Sequence, residues 1–362
     1  MLLCGKPLPL LPSLLVCACS SAADPSPGPS DSGAPLDVGQ AIDAAPAAPD
    51  SQTCDRFGPL LERRTLIPGL AQLEDIYAST VLFDGTQHLM WYSGWHGASH
   101  FPYDRIFRAT SKDGLDWEVS TEPVLSVQGA VADPSVLRHA GGYVMVFSFI
   151  KDPAKWHGLK PENYKLDGDE SYLHVWIAES KDGITWTGAR ELIGRQNGLD
   201  DTGAWAPSII QVDATTAHIY YNNDPNFVVH PAHRYEVLRS TLDLGGPPAI
   251  VETVAVVQDG KLRANVDVSR SEAGYLMLYN EILATPVTRW RAAAMASGDG
   301  LSWQEIDAAP LRPPGTEKLD IATPHLFRSP NHPGEVWVFV GEGDQSQLES
   351  SVAMWRYRAC AE

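Results

Sequence analysis

The 362-residue sequence predicts an all-β, five-bladed β-propeller. Three observations carry that prediction. The first is a turn written three times: Ala109-Thr110-Ser111-Lys112-Asp113-Gly114-Leu115-Asp116-Trp117, Ala178-Glu179-Ser180-Lys181-Asp182-Gly183-Ile184-Thr185-Trp186, and Ala296-Ser297-Gly298-Asp299-Gly300-Leu301-Ser302-Trp303. Asp-Gly is a strong hairpin signal, because a tight turn needs positive φ, which Gly accepts freely and Asp tolerates. The Trp four residues beyond each Asp reads as a ring packed between sheets. The second observation is spacing. With the weaker relative Arg239-Ser240-Thr241-Leu242-Asp243 included, Ser111, Ser180, Ser240 and Ser297 lie 69, 60 and 57 residues apart. That period suits a four-stranded blade with generous loops. The third is a set of five strand starts, which set the blade count.

Each start is a polar or acidic residue followed by alternating apolar residues, a turn and an aromatic strand. Blade 1 runs from Glu74-Asp75-Ile76-Tyr77 to Met90-Trp91-Tyr92-Ser93, and blade 2 from Ala132-Asp133-Pro134-Ser135-Val136 to Val144-Met145-Val146-Phe147-Ser148. Blade 3 runs from Trp205-Ala206-Pro207-Ser208-Ile209 to Ile219-Tyr220-Tyr221-Asn222, and blade 4 from Asn265-Val266-Asp267-Val268 to Leu276-Met277-Leu278-Tyr279-Asn280. Blade 5 runs from Asp320-Ile321-Ala322-Thr323-Pro324-His325 to Val336-Trp337-Val338-Phe339-Val340. Period-two alternation with Gly, Asp and Pro punctuation argues strands throughout. A β-sandwich is the alternative all-β arrangement.

Ahead of the blades the composition changes twice. Residues 1–19 carry one Lys, an apolar run broken by Pro9 and Pro12, and then Val16-Cys17-Ala18-Cys19. This is too short and broken to span a membrane, and it reads as a secretory signal ending in a bacterial lipobox, with Cys19 the lipidated residue. Residues 20–53 hold six Pro, five Asp, no Lys or Arg and no aromatic residue, the composition of a disordered acidic tether. Residues 54–362 form the propeller. Of the five cysteines, Cys4 and Cys17 leave with the signal and Cys19 takes the lipid. Cys54 and Cys360 remain, one at each end of the propeller, and in an oxidising compartment their disulfide latches the ring.

The net charge of −18 excludes nucleic acid as a partner, since phosphate binding needs a basic patch. The membrane is met through the lipid anchor only. The expected location is the bacterial cell envelope, and the expected partner is carbohydrate.

Propeller ligands sit in a central funnel where the innermost strands begin. Taking each blade's first residues, the funnel receives Asp75, Asp133, Asp201, Asp267 and Asp320, with Glu281 at the end of a blade-4 strand. Converging carboxylates are what glycosidic cleavage requires, one as acid and one as base or nucleophile. Mutual repulsion raises at least one pKa. Each Asp is equally readable as a turn former at a strand start. Flat rings stack on sugar faces, and Trp91, Trp95, His96 and Trp205 are the candidates, with Asn223 and Asp320 as polar substrate contacts. Trp117, Trp186 and Trp303 are packing residues.

The Ala132-Asp133-Pro134-Ser135-Val136 and Trp205-Ala206-Pro207 segments, the blade-1 Asp and the Ser-Lys-Asp-Gly turns together resemble the arabinanase, levansucrase and invertase superfamily. It includes glycoside hydrolase families 32, 43, 62 and 68, and the similarity covers about residues 57 to 358. The resemblance implies Asp75 as base or nucleophile and Asp133 as the residue that orients the sugar and raises the pKa of the acid. Ala132 stands where the invertase-like motif has Arg, and Trp205-Ala206-Pro207 occupies the place of its Glu motif. The general acid is therefore open among Asp201, Asp267 and Glu281. The resemblance further implies chemistry without a cofactor, and His325 as the match to a blade-5 His associated with a bound structural ion, calcium. A non-catalytic glycan-binding propeller and a structural or protein-binding lipoprotein are the alternatives. A sialidase would need an Arg triad, for which only Arg138, Arg263 and Arg270 lie near blade starts.

Overall fold

The structure, a computed structural model, describes residues 57–67, 75–95, 104–125, 127–151, 173–194, 203–223, 236–261, 263–271, 274–283, 289–306, 311, 313–316, 319–344 and 349–359. Twenty strands form five four-stranded antiparallel sheets. The first strand, β1 (Phe57–Ile67), belongs to the last blade. Blade 1 is β2 (Asp75–Phe83), β3 (His88–Trp95), β4 (Arg105–Ser111) and β5 (Glu118–Val119). Blade 2 is β6 (Ala130–His139), β7 (Gly142–Ile150), β8 (Leu173–Ser180) and β9 (Trp186–Ile193). Blade 3 is β10 (Trp205–Gln211), β11 (Thr216–Asn222), β12 (Val237–Asp243) and β13 (Ala249–Val257). Blade 4 is β14 (Arg263–Ser271), β15 (Gly274–Leu283), β16 (Arg289–Ser297) and β17 (Gln304–Glu305). Blade 5 is β18 (Asp320–Phe327), β19 (Glu335–Asp344) and β20 (Glu349–Ala359), and β1 completes it by pairing with β20 from Phe57↔Ala359 to Ile67↔Val352. The fold is the five-bladed propeller that the repeat predicts.

The core lies between blades. Trp91, Trp337 and Trp355 are fully buried, with Tyr92, Phe107, Phe147, Tyr220, Tyr221 and Phe339. The recurring turn serves these layers. In all three copies the Ser hydroxyl accepts the Gly N–H and donates to the Asp carboxylate, while Asp Oδ1 accepts the two N–H groups that follow Gly. Backbone N–H groups, that of Asp116, Thr185 or Ser302 foremost, hold these carboxyls down to about 2. The turn differs from the expected one in that only Gly takes positive φ, at 78°, 70° and 72° for Gly114, Gly183 and Gly300. The Asp side chain caps the turn instead.

Each of these glycines presses on an aromatic ring of the preceding blade. A Cβ on Gly114 would meet Trp337 at 2.4 Å, one on Gly183 Trp91 at 2.8 Å, and one on Gly300 the Tyr220 hydroxyl at 2.6 Å. Trp91 Nε1 and the Tyr220 hydroxyl donate back to the carbonyls of Gly183 and Gly300 at 2.9 and 3.1 Å. These turns lie on the face where the inner strands end. The first residues of the inner strands, and the ends of the second strands paired with them, lie on the other face.

Candidate active site

Every inner strand carries a β-bulge at the same place, with two residues opposing one on the second strand: between Tyr77 and Thr80, Ala132 and Ser135, Trp205 and Ser208, Ala264 and Asp267, and Ala322 and His325. In four blades the first bulge residue has positive φ: Asp133 52°, Ala206 49°, Asn265 52° and Thr323 47°. Asp and Asn tolerate this region, whereas Ala and β-branched Thr are strained there. The next residue is Pro134, Pro207 or Pro324 in three of them, since a bulge leaves an N–H that the ladder does not use. Bulges of this kind bend a strand and re-aim side chains. Here they bring Asp133, Asn265 and Thr323 to one axial cavity of about 40 Å³.

Two residues beyond the bulge, Thr80, Ser135, Ser208, Asp267 and His325 form the waist of the axial channel. The waist is stitched blade to blade. Ser135 Oγ accepts Ile209 N–H at 3.0 Å, Ser208 Oγ accepts Val268 N–H at 2.9 Å, Asp267 Oδ2 accepts Leu326 N–H at 3.0 Å, and His325 Nε2 accepts Val81 N–H at 3.0 Å. Because Nε2 accepts, the ring proton resides on Nδ1, which donates to Asp267 Oδ1 at 3.0 Å. Ser208 also donates to Asp267 Oδ1, at 3.3 Å. This arrangement corrects the expectation that His325 holds an ion: its one lone pair is spent on Val81, so the residues do not fit a metal at this position. Among the described residues no group of three or more His, Cys, Asp or Glu is placed to hold one.

Two acids, Asp133 and Asp267, line the cavity, and Asp133 is the one outside the waist. Its N–H donates to Ser93 Oγ of blade 1 at 2.8 Å, and its Oδ2 accepts the Ser148 hydroxyl at 2.6 Å. Burial pushes the carboxyl up to about 6, and the Ser148 hydrogen bond pulls the other way. No cation contributes, and among the described residues no Lys or Arg lines the cavity. Ser148 Oγ accepts Ala206 N–H at 2.8 Å, and Asn280 Oδ1 likewise accepts Thr323 N–H at 2.8 Å. A second set of bonds between blades thus fixes the bulges.

The other expected residues fall at different heights or in different roles. Asp75 and Asp320 open their strands, three residues before the bulge, where Asp75 pairs with Trp95 and Asp320 with Gly343. Asp320 accepts Trp290 N–H at 3.0 Å. Asp267 lies below Asp133, its oxygens taken up by His325, Ser208 and Leu326. Glu281 is ion-paired with Arg291, so it is not a free acid. Trp91 is fully buried between blades 1 and 2, with its ring edge-to-face with Trp186, and cannot stack on a sugar. Trp205, 5% exposed, packs with Ala130, Leu173 and Ala264 rather than forming a platform. Asn223 is buried and clips Glu236, donating to its carboxylate and accepting its N–H at 3.0 Å each. Asp201, His96, Cys19, Cys54 and Cys360 lie outside the described residues. Of the three arginines weighed for a sialidase, Arg263 pairs with Asp259 and Glu305, and Arg138 and Arg270 donate to the carbonyls of Asp84 and Val212. The residues missed in the sequence are Ser148, Asn265, Asn280 and Thr323. The recurring x-Pro after an acidic or small residue was the signal that could have found the bulges.

No protein-family model matches the chain, and no curated protein matches it in sequence. Solved structures do. BT0996, solved as an RGII complex, superposes with a TM-score of 0.60 at 14% identity, covering 86% of this protein and 96% of that one. The α-L-arabinofuranosidase PaAbf62A from Podospora anserina, in complex with cellotriose, gives 0.58 at 14% identity, covering 82% and 96%. Zg3597, a family 117 glycoside hydrolase from Zobellia galactanivorans, gives 0.55 at 15% identity, covering 84% and 91%. The protein has the fold of the five-bladed propeller glycoside hydrolases. At these identities the likeness establishes the architecture.

Proposed function

We propose that this protein is an envelope-anchored glycoside hydrolase acting on a neutral poly- or oligosaccharide, with Asp133 as its general acid. The carrying observation is Asp133 itself, a carboxyl raised to about 6 in the lining of the axial cavity, in a fold shared with glycoside hydrolases. A carboxyl held near that value is protonated in a useful fraction of molecules close to neutrality, as a general acid must be. It gives its proton to the glycosidic oxygen as the bond to the anomeric carbon breaks and that bond's electrons remain on the leaving oxygen. Water then adds to the anomeric carbon and yields a proton to a second carboxylate, for which Asp75 is proposed. The absence of Lys and Arg from the described cavity lining supports an uncharged sugar.

The second reading, a non-catalytic glycan-binding propeller, also has a specific observation in its favour. Among the four positive-φ bulge residues only Asp133 is an acid, and Asp267, Glu281 and Asp320 are committed elsewhere. The full chain in detergent, assayed on aryl glycosides and polysaccharides beside Asp133→Asn and Asp75→Asn, separates the two. Turnover lost in both variants with folding intact supports the enzyme. No turnover, with retention on a glycan array, establishes the binder.

Lipidation at Cys19, a tether over 20–53 and a Cys54–Cys360 disulfide complete the proposal. The pairing of Phe57 with Ala359 supports the disulfide, since it sets the described chain ends beside each other. Radiolabelled palmitate incorporation lost in Cys19→Ser, and a free-thiol count that rises by two on reduction, test these parts.

A further inference from the structure

We infer that Ser148 is a positioning residue that keeps Asp133 Oδ2 an acceptor and confines the acid proton to Oδ1, the oxygen left to the axial cavity. The inference rests on the reading of Asp133 as the general acid and adds to it the atom from which the proton leaves.

Ser148 is 1% exposed and sits on β7 opposite Ala132, the residue before the bulge. Its hydroxyl has two neighbours with unequal freedom. Ala206 N–H, 2.8 Å away, can only donate, so it consumes a Ser148 lone pair. The hydroxyl hydrogen is thereby turned to Asp133 Oδ2, and the 2.6 Å separation falls in the range of an O–H donor on an ionised oxygen. A proton placed on Oδ2 would have to donate to Ser148 Oγ. The serine's own hydrogen would then face the fold interior with no acceptor among the described residues, an unmade hydrogen bond in a dry site. Protonation on Oδ1 leaves both Ser148 bonds intact, and no described residue donates to Oδ1.

The rest of the bulge holds the carboxyl in place. Asp133 N–H is tied to Ser93 Oγ of the preceding blade at 2.8 Å, and φ is fixed at 52°. Blade 4 repeats the device in neutral form: Asn280 Oδ1 accepts Asn265 Nδ2 of its own bulge at 2.9 Å and Thr323 N–H of the next blade at 2.8 Å. In blade 2 the bridging group is a hydroxyl and the bulge residue an acid, so the same geometry directs a proton.

Chemically, Ser148 does two things as the proton leaves Oδ1 for the glycosidic oxygen. It fixes which oxygen faces the substrate, and it stabilises the charge that appears on the carboxylate. Removing it therefore makes Asp133 harder to ionise, in line with the sign of its hydrogen bond.

The test is a carbon-13 NMR titration of aspartate side-chain carboxyls in the full chain, with Asp133→Asn assigning the signal and a pH–rate profile run alongside. In Ser148→Ala the Asp133 midpoint is expected to move up by about one pH unit, and the alkaline limb of the rate profile to move with it. Ser148→Thr, which keeps the hydroxyl, is expected to titrate like the wild type. Ser148→Cys, similar in size with a weaker donor, gives the same upward shift and covers a failure of the alanine variant to fold. A Ser148→Ala midpoint equal to that of the wild type overturns the inference. The NMR titration does not depend on turnover. A shift without hydrolysis removes the acid reading and leaves the proton placement standing, whereas hydrolysis abolished by Asp133→Asn without a shift in Ser148→Ala does the reverse.

Discussion

Replacing Asp133 with Asn is expected to raise stability at neutral pH while ending turnover. Asn matches Asp in size, offers Ser148 an amide oxygen, and is one of the few residues at ease at φ 52°. What the change removes is a carboxyl whose charged form burial penalises. Its rise from an ordinary 3.8 to about 6 corresponds to about 3 kcal/mol at roughly 1.36 kcal/mol per pH unit. That figure is a ceiling, because the half-buried carboxyl keeps some contact with water. The sign follows from proton binding: the folded protein holds this proton more tightly than the unfolded chain, so the stability Asp133 contributes is complete below 3.8 and is lost as pH rises through about 6. Asp133→Asn has no such loss. Urea unfolding of both proteins across a pH series reads the difference, which should be near zero at about pH 4 and reach its maximum by about pH 7. A gap that stays constant across that range, or is absent at neutral pH, refutes the burial argument and with it the case for a protonatable acid.

Four further outcomes are expected. Turnover should fall as pH rises through about 6, where Asp133 loses its proton; a pH–rate profile with no alkaline limb in that region counts against Asp133 as the acid. Trp91→Ala should cost about 3–5 kcal/mol in chemical denaturation and leave glycan affinity of the folded fraction unchanged, since the ring lies between blades. Gly183→Ala, with φ at 70° and a Cβ that would meet Trp91 at 2.8 Å, should destabilise clearly more than Gly141→Ala, where φ is 78° and the space is open; equal melting temperatures would remove the packing explanation. His325→Ala should cost about 1–3 kcal/mol by leaving Val81 N–H and Asp267 unpaired, and EDTA should produce no matching loss in the wild type.

The fold was legible because its signals are local. Alternation, the capped Ser-x-Asp-Gly turn and the spacing of Ser111, Ser180 and Ser297 all report structure within a blade, and inter-blade roles for Trp117, Trp186 and Trp303 follow from their place in the turn. The site was only half legible, because a bulge changes register without changing composition. Counting from the strand start sets Asp75, Asp133, Asp267 and Asp320 in one ring. Counting from the bulge puts Asp75 and Asp320 three residues before it, Asp133 on it and Asp267 two residues past it. Of the four, Asp133 and Asp267 line the cavity, and Asp267 has its oxygens taken up by the waist. The partners of its carboxyl were beyond reach, since Ser148 reads as one more polar residue in an apolar strand until β7 is laid beside β6. Trp91 misled for a similar reason: an aromatic residue near a loop looks like a platform until the neighbouring blade covers it.

The ring is closed by its own first strand. β1 pairs with β20 and adds ion pairs to the fifth blade, Arg63 with Glu342 at 2.8 Å and Glu62 with Arg356, 294 residues apart in sequence, at 2.7 Å. The last blade therefore has no outer strand until both ends of the folded chain are present. Loop-closure entropy makes such distant pairing slow, so four blades are expected to form before the fifth. Synthesis from the N-terminus delivers β1 first and its partner last. For that interval β1 is a strand without its partner, and it is the part of the molecule most open to strand exchange with another copy.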